Sequence, residues 1–137
     1  MLRRESRVRA RALQILYAWE LQGRPAIRAV ADGLYPVHGG HDRVWEDAER
    51  LALAVATAAD ELDGAIVPEL AGWRLARVGV NERNILRLAA HELRQGELPA
   101  PVIISEALRL THWFAGAKAG AFINGVLDAL ARRIGRL

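Results

Sequence analysis

Residues 3–20 read RRESRVRARALQILYAWE. On a helical wheel at roughly 100° per residue, Val8, Ala12, Ile15, Leu16 and Trp19 gather on one side. Arg3, Arg4, Arg7, Arg11 and Gln14 gather on the other. An apolar stripe opposed by a polar one marks a helix with one face in a core. The spacing predicts that helix over about 5–22. Arg9 leaves the cationic side and falls beside Leu13 and Leu16, at the edge of the apolar face. A guanidinium there needs a carboxylate or carbonyl partner, so Arg9 is expected to be structural.

Working outward, proline and glycine mark the breaks. Gly23 and Pro25 end the first segment, and Tyr35-Pro36-Val37-His38-Gly39-Gly40 reads as a loop. Val67-Pro68 interrupts or kinks a long apolar-periodic run. Gly79 precedes a helix start with Asn81 as its N-cap. Gly96 to Pro101 is a linker whose proline suits the first turn of the next helix, and Ala115 to Gly120 is a last small-residue turn. Between the breaks the apolar spacing predicts helices at about 5–22, 26–34, 43–65, 67–73, 82–95, 102–114 and 119–134. No segment alternates with period two for long, and no internal repeat is visible. The expectation is an all-α fold: a single compact bundle of about seven helices around one core, forming one domain over residues 1–137. The four tryptophans, Trp19, Trp45, Trp73 and Trp113, fall in different segments, and packing in or at the edge of the core is the expectation for most of them.

With 52% hydrophobic and 26% charged residues the chain reads as globular. It contains no cysteine, which excludes a disulfide framework and a Cys-ligated zinc site. No apolar run approaches the ~18–20 residues of a membrane span, and the basic N-terminus lacks the apolar core and cleavage site of a signal peptide. A cytoplasmic protein is expected. The net charge of +3 conceals an uneven distribution, because residues 1–11 hold five arginines against one glutamate. The basic character is therefore a terminal patch.

Such a patch points to a polyanion, either nucleic acid or an anionic membrane surface. Arg3, Arg4, Arg7 and Arg11 can follow a phosphate backbone with planar forks that also stack on bases. A solvated helix face is the plainer alternative. Against it, like charges at i, i+4 disfavour a helix and cations at its N-terminus oppose the dipole, so the arrangement costs stability. On the last helix Phe122 lies off the core stripe of Ile123, Val126, Leu127, Leu130 and Ile134, and Lys118 precedes it by one turn. A marginal aromatic beside cations can be a stacking platform for an unpaired base, or simply edge packing.

Nothing in the sequence supports a named reaction. Gly116-Ala117-Lys118-Ala119-Gly120 lacks the P-loop pattern. His38 and His41 stand three apart without a cysteine nearby, a poor metal pair, while His91 and His112 are lone helical residues. No catalytic residue, cofactor or metal is expected.

The residues also carry a family resemblance. Arg9 with Ala12-Leu13-Gln14-Ile15-Leu16-Tyr17-Ala18-Trp19-Glu20 resembles the opening helix of the NusB antitermination family. Leu62-Asp63-Gly64-Ala65-Ile66 and Trp73-Arg74-Leu75 resemble its middle, and residues 81–93, NERNILRLAAHEL, its central helix. Pro101-Val102-Ile103-Ile104-Ser105-Glu106-Ala107 and Phe122-Ile123-Asn124-Gly125-Val126-Leu127-Asp128 resemble its last two helices. The blocks stand in family order over nearly the whole chain. Ser105 replaces a usual Asn, Ala121 replaces a basic residue common before the Phe, and residues 23–45 show no clear match.

The resemblance implies seven helices in two helical subdomains. It implies binding to single-stranded boxA RNA of nascent transcripts, with the ribosomal protein NusE as heterodimer partner. It further implies entry into the RNA polymerase antitermination complex that supports ribosomal RNA synthesis. It carries the RNA role onto Arg3, Arg4, Arg7, Arg11 and Phe122, and the NusE role onto Glu82 and Arg83; Gln14 on the same face of the first helix, and Lys118 in the variable turn before Phe122, are expected to join the RNA-binding set. The free protein would be a monomer or a homodimer. Some RNA cytosine methyltransferases carry a NusB-like domain, but 137 residues leave no room for a methyltransferase, so no enzyme is expected. The competing expectation is a helical protein–protein module whose arginine face docks an acidic partner.

Overall fold

The computed structural model describes residues 3–38 and 42–137, with side chains over 3–34 and 42–137. His38 and His41, the weak metal pair, lie outside the described side chains. Seven α-helices and two single 3-10 turns appear among the described residues, and no strand. They fall into two compact units, residues 1–57 and 58–137, which matches the two helical subdomains implied by the resemblance.

The first unit holds α1 (Arg4–Leu21), α2 (Ile27–His38) and α3 (Arg43–Thr57). The apolar face read from the wheel is the buried one: Val8, Ala12, Leu13, Ile15, Leu16 and Trp19, and α1 packs on α2 and α3. Arg9 is 7% exposed, as its place beside Leu13 and Leu16 demanded. Helix α1 stops where Gly23 and Arg24 take positive φ, 83° and 64°. Arg24 then folds back and its guanidinium stacks 4.8 Å from the Trp19 ring. Helix α3 starts because Asp42 Oδ1 accepts from the Trp45 amide at 2.8 Å, an N-cap bond.

Two boundaries in this unit differ from expectation. Helix α2 runs through Tyr35 and Pro36 to His38, where a loop was expected. Pro36 forfeits one backbone hydrogen bond and crowds the carbonyl four residues back, so the helix continues against the proline's own preference. The run expected as one helix over 43–65 is broken at Ala58, between α3 and α4 (Ala59–Ile66). There the Thr57 hydroxyl donates to the Leu53 carbonyl at 2.7 Å, a back-bond that bends and weakens helices.

The second unit holds α4, two 3-10 turns (Val67–Glu69 and Leu75–Arg77), α5 (Val80–Gln95), α6 (Ala100–Phe114) and α7 (Ala119–Arg133). Helix α5 packs against α4, α6 and α7. It buries Ile85, Leu86, Leu88, Ala89 and Leu93, and of the expected α7 stripe Ile123, Val126, Leu127 and Leu130 are buried too, while Ile134 caps the helix half-buried. The helix expected over 67–73 is only the one turn Val67–Glu69. Pro68 stands in that turn, and the left-handed pair Ala71 (φ 51°) and Gly72 (φ 88°) closes off any continuation. Asn81 is not the N-cap of α5: Gly79 is. A side chain at 79 would push the flexible end of Glu82 aside, while Asn81 Nδ2 donates to the Phe114 carbonyl at 3.0 Å. That bond satisfies one of the carbonyls left open at the end of α6. Pro101 does sit in the first turn of α6.

One ion pair in this unit escaped the sequence reading. Arg87, in the middle of α5, is 1% exposed. Its Nε and Nη2 donate to the two carboxylate oxygens of Asp63 on α4, at 2.6 and 3.0 Å. Its Nη1 donates to Asn84 Oδ1 at 3.0 Å. Removing the carboxylate leaves a buried cation without its counter-charge. Asp63→Ala should lower the unfolding free energy by about 3 kcal/mol or more, whereas Asp63→Leu with Arg87→Met should recover most of it. Urea denaturation of the three proteins measures both effects.

Candidate nucleic-acid interface

The expected cationic residues of α1 lie within the first unit, and the structure divides them into two kinds. Arg3, the N-cap residue, and Arg7 are exposed, and neither makes a side-chain hydrogen bond or ion pair among the described residues. Arg4 is committed within the unit. Its guanidinium pairs with the Asp47 carboxylate on α3 and reaches the Arg43 carbonyl at 3.4 Å. Arg4 stays exposed on the cationic side of α1, but one side of its fork is taken. Arg11 and Gln14 are half-buried, and Arg11 Nη1 donates to Gln14 Oε1 at 3.2 Å.

The Asp47 carboxylate also receives Arg50. Its pKa is held below the ordinary carboxylate value, chiefly by the hydrogen bond from Arg4, and Arg4's own is raised by the same contact. Asp47 thus offsets part of the repulsion along α1, where Arg3, Arg7 and Arg11 stack at i, i+4. Of the cationic residues on this face of α1, Arg3 and Arg7 offer whole guanidinia to a ligand.

In the second unit Lys118 is exposed and Phe122 half-buried. Phe122 lines a cavity of about 230 Å³ together with Trp73, Arg77, Val78, Glu82 and Ala119. The structure therefore brings Phe122 and Glu82, expected in separate roles, to one cavity. Glu82 is half-buried, in the first turn of α5. Arg83, expected to meet a partner, donates to the Val78 carbonyl, so part of its fork is used inside the unit. Asp128, on the polar side of α7, pairs with Arg132 at 2.9 Å.

Trp19 and Trp45 are buried, but Trp73 is 63% and Trp113 38% exposed. The packing expectation therefore fails for Trp73, while Trp113 sits at the edge. Trp113 at least carries Arg109 6.0 Å over its ring. For Trp73 the missed signal was the Ala71-Gly72 pair just before it: the left-handed turn there carries the chain out of helical register. Among the described residues no three potential metal ligands cluster, and no helix is long and apolar enough to cross a membrane.

Comparison with known proteins agrees with these features. The NusB family model matches residues 6–132. The transcription antitermination protein NusB of Solibacter usitatus (strain Ellin6076) is 39% identical over 133 residues, covering 93% of this chain and 88% of that protein. A crystal structure of antitermination factors NusB and NusE in complex with dsRNA superposes with a TM-score of 0.81 at 28% identity, covering 97% of this chain and 99% of that one. A structure of T. maritima NusB superposes with a TM-score of 0.82 at 27% identity, covering 96% and 92%.

The Arg4–Asp47 pair has a pH signature. A carboxyl held below its unfolded value adds stability that is present above the unfolded pKa and lost as pH falls through the folded one. Carboxyl-carbon NMR should therefore show Asp47 titrating below the ordinary Asp value of about 3.9. Arg4→Ala should move it back up towards that value, and a titration that Arg4→Ala leaves in place would deny the pair its role.

Proposed function

The chain belongs to the NusB family, and on that footing we propose that it is a non-catalytic RNA-binding adaptor of transcription antitermination. It binds a boxA-type single-stranded RNA together with the ribosomal protein NusE and joins the antitermination complex on RNA polymerase, supporting ribosomal RNA synthesis. Its place of action is the cytoplasm, on nascent transcripts. The observation that carries this reading is the unpaired, exposed Arg3 and Arg7 pair on α1. Like charges one turn apart at a helix N-terminus cost stability, and a polyanion is the ligand that would repay it. The relatives are named antitermination proteins, and one structural neighbour holds NusE and dsRNA, which supports RNA as the polyanion and NusE as the partner.

The roles follow the geometry. Arg3 and Arg7 take phosphates as whole forks. Arg4 adds charge from its exposed side, and Arg11 with Gln14 offers a bonded polar pair. Lys118 contributes a further cation, and Phe122 gives an unpaired base an aromatic face. Glu82 and Arg83, in the first turn of α5, serve the protein partner. The whole chain, 1–137, acts as one RNA-binding domain built from its two units.

Charge reversal at Arg3 and Arg7 tests the reading on RNA binding. Arg3→Glu with Arg7→Glu should weaken affinity and flatten the salt dependence by about 0.7 in log–log slope per lost phosphate contact. Unchanged affinity and slope would remove α1 from the interface. Phe122→Ala should cost about 1–3 kcal/mol of binding to an unpaired RNA with little change in melting temperature. A Phe122 that only packs would give the reverse, a lower melting temperature with RNA affinity kept.

A further inference from the structure

The most exposed large apolar side chain described in the protein is Trp73. Leaving an indole in water forgoes the stabilisation that burying a large apolar side chain brings. A lone exposed apolar residue calls for no explanation, but Trp73 is not placed like a stray residue. The turn that carries it is anchored at both ends, by buried Leu70 and Val78. Its backbone is tied within itself. The Trp73 amide donates to the Leu70 carbonyl at 3.0 Å, the Arg77 amide to Arg74 at 2.9 Å, and the Val78 amide to Leu75 at 3.0 Å. The indole is held out on a firm support.

Its surroundings are chemically specific. Arg74 and Arg77 are both exposed, and among the described residues neither guanidinium makes a hydrogen bond or ion pair. Trp73 lines two cavities. One, about 330 Å³, is shared with Ala71, Gly72, Arg74 and Arg77. The other, about 230 Å³, is the one that holds Phe122. These volumes lie at the lower end of, or just below, the ~300–1,000 Å³ of small-molecule sites, a size for a flat ring system rather than a folded partner. The Glu82 carboxylate also lines the second cavity and repels phosphate there. A nucleotide would therefore put its base in the cavity and its phosphates on the arginine side.

We propose that the 70–78 turn is a further RNA-binding element, in which an unpaired base stacks on Trp73 and the flanking phosphates bind Arg74 and Arg77. An aromatic face interleaved with unpaired guanidinia is the chemistry of single-strand recognition: stacking tolerates any base, and arginine serves both the phosphate and the ring. The inference rests on the RNA-binding reading above and assigns to that activity three residues outside α1 and α7.

The test uses the full chain, a fluorescein-labelled single-stranded boxA RNA and the same sequence in a duplex. Trp73→Ala should weaken single-strand binding roughly tenfold or more, with melting temperature unchanged because the side chain is exposed. Trp73→Phe, which keeps a ring, should retain most of the affinity. Arg74→Gln with Arg77→Gln should lower the salt slope on the single strand by about 0.7 for each phosphate released. The duplex, which has no base free to stack, should not distinguish Trp73→Ala from the parent chain. If the parent binds single-stranded RNA and neither set of substitutions alters that binding, the element is overturned while the α1 reading stands. Loss of NusE binding with RNA affinity intact would also overturn it, making the turn a protein-docking surface. Failure of the parent chain to bind any RNA would bring down both this proposal and the function it rests on.

Discussion

A guanidinium with almost no access to water cannot be left without a counter-charge, and Arg87 is such a group at the centre of the second unit. It lies on α5 among Ile85, Leu86, Leu88 and Ala89, so only a carboxylate brought to it can satisfy it. Asp63 supplies both oxygens and thereby fixes α4 against α5. With α5 placed, its first turn is placed. Asn81 then ties to the end of α6, Gly79 makes room for the Glu82 carboxylate, and the short turn before it presents Trp73. Near the other end of α5 and just beyond it, Arg136 reaches back to the Leu93 and Leu98 carbonyls. The cavity shared by Trp73, Glu82 and Phe122 thus borders a helix that this buried pair, together with the apolar face of α5, helps to place.

The cationic helix of the first unit obeys a different balance. Its arginines repel one another and the dipole, and the fold answers only part of that repulsion. Asp47 holds Arg4, and Gln14 holds Arg11. Arg3 and Arg7 are left to solvent. A helix that needed only to be solvated could spread its charges. This one concentrates them in its first two turns and leaves two forks whole, which is the arrangement a phosphate backbone would use. Family membership favours RNA as that polyanion.

Local physics explains why much of this was legible in the sequence. The apolar face of α1, the burial of Arg9, the turn at Gly23 and the start of α6 at Pro101 are set by spacing within one or two turns of helix. The arginine stripe was legible for the same reason, since one helical period puts it on one face. What the pattern could not carry were pairings between distant segments. Asp63 and Arg87 stand 24 residues apart and Arg4 and Asp47 stand 43 apart, and nothing in either local pattern announces the partner. Trp73 was misread because its exposure is decided by two backbone dihedrals before it rather than by its hydrophobicity. Helix α2 ran past its expected end although Pro36 opposes the continuation, because a local proline signal biases a helix boundary without fixing it.

The most direct test of the account is an anisotropy titration of a labelled single-stranded boxA RNA against a scrambled RNA of the same composition, with and without NusE, at two salt concentrations. The account predicts preference for boxA, tighter binding when NusE is present, and weakening as salt rises. Equal affinity for the two RNAs, unmoved by NusE, would contradict it and leave the exposed arginines as the docking face of a protein module.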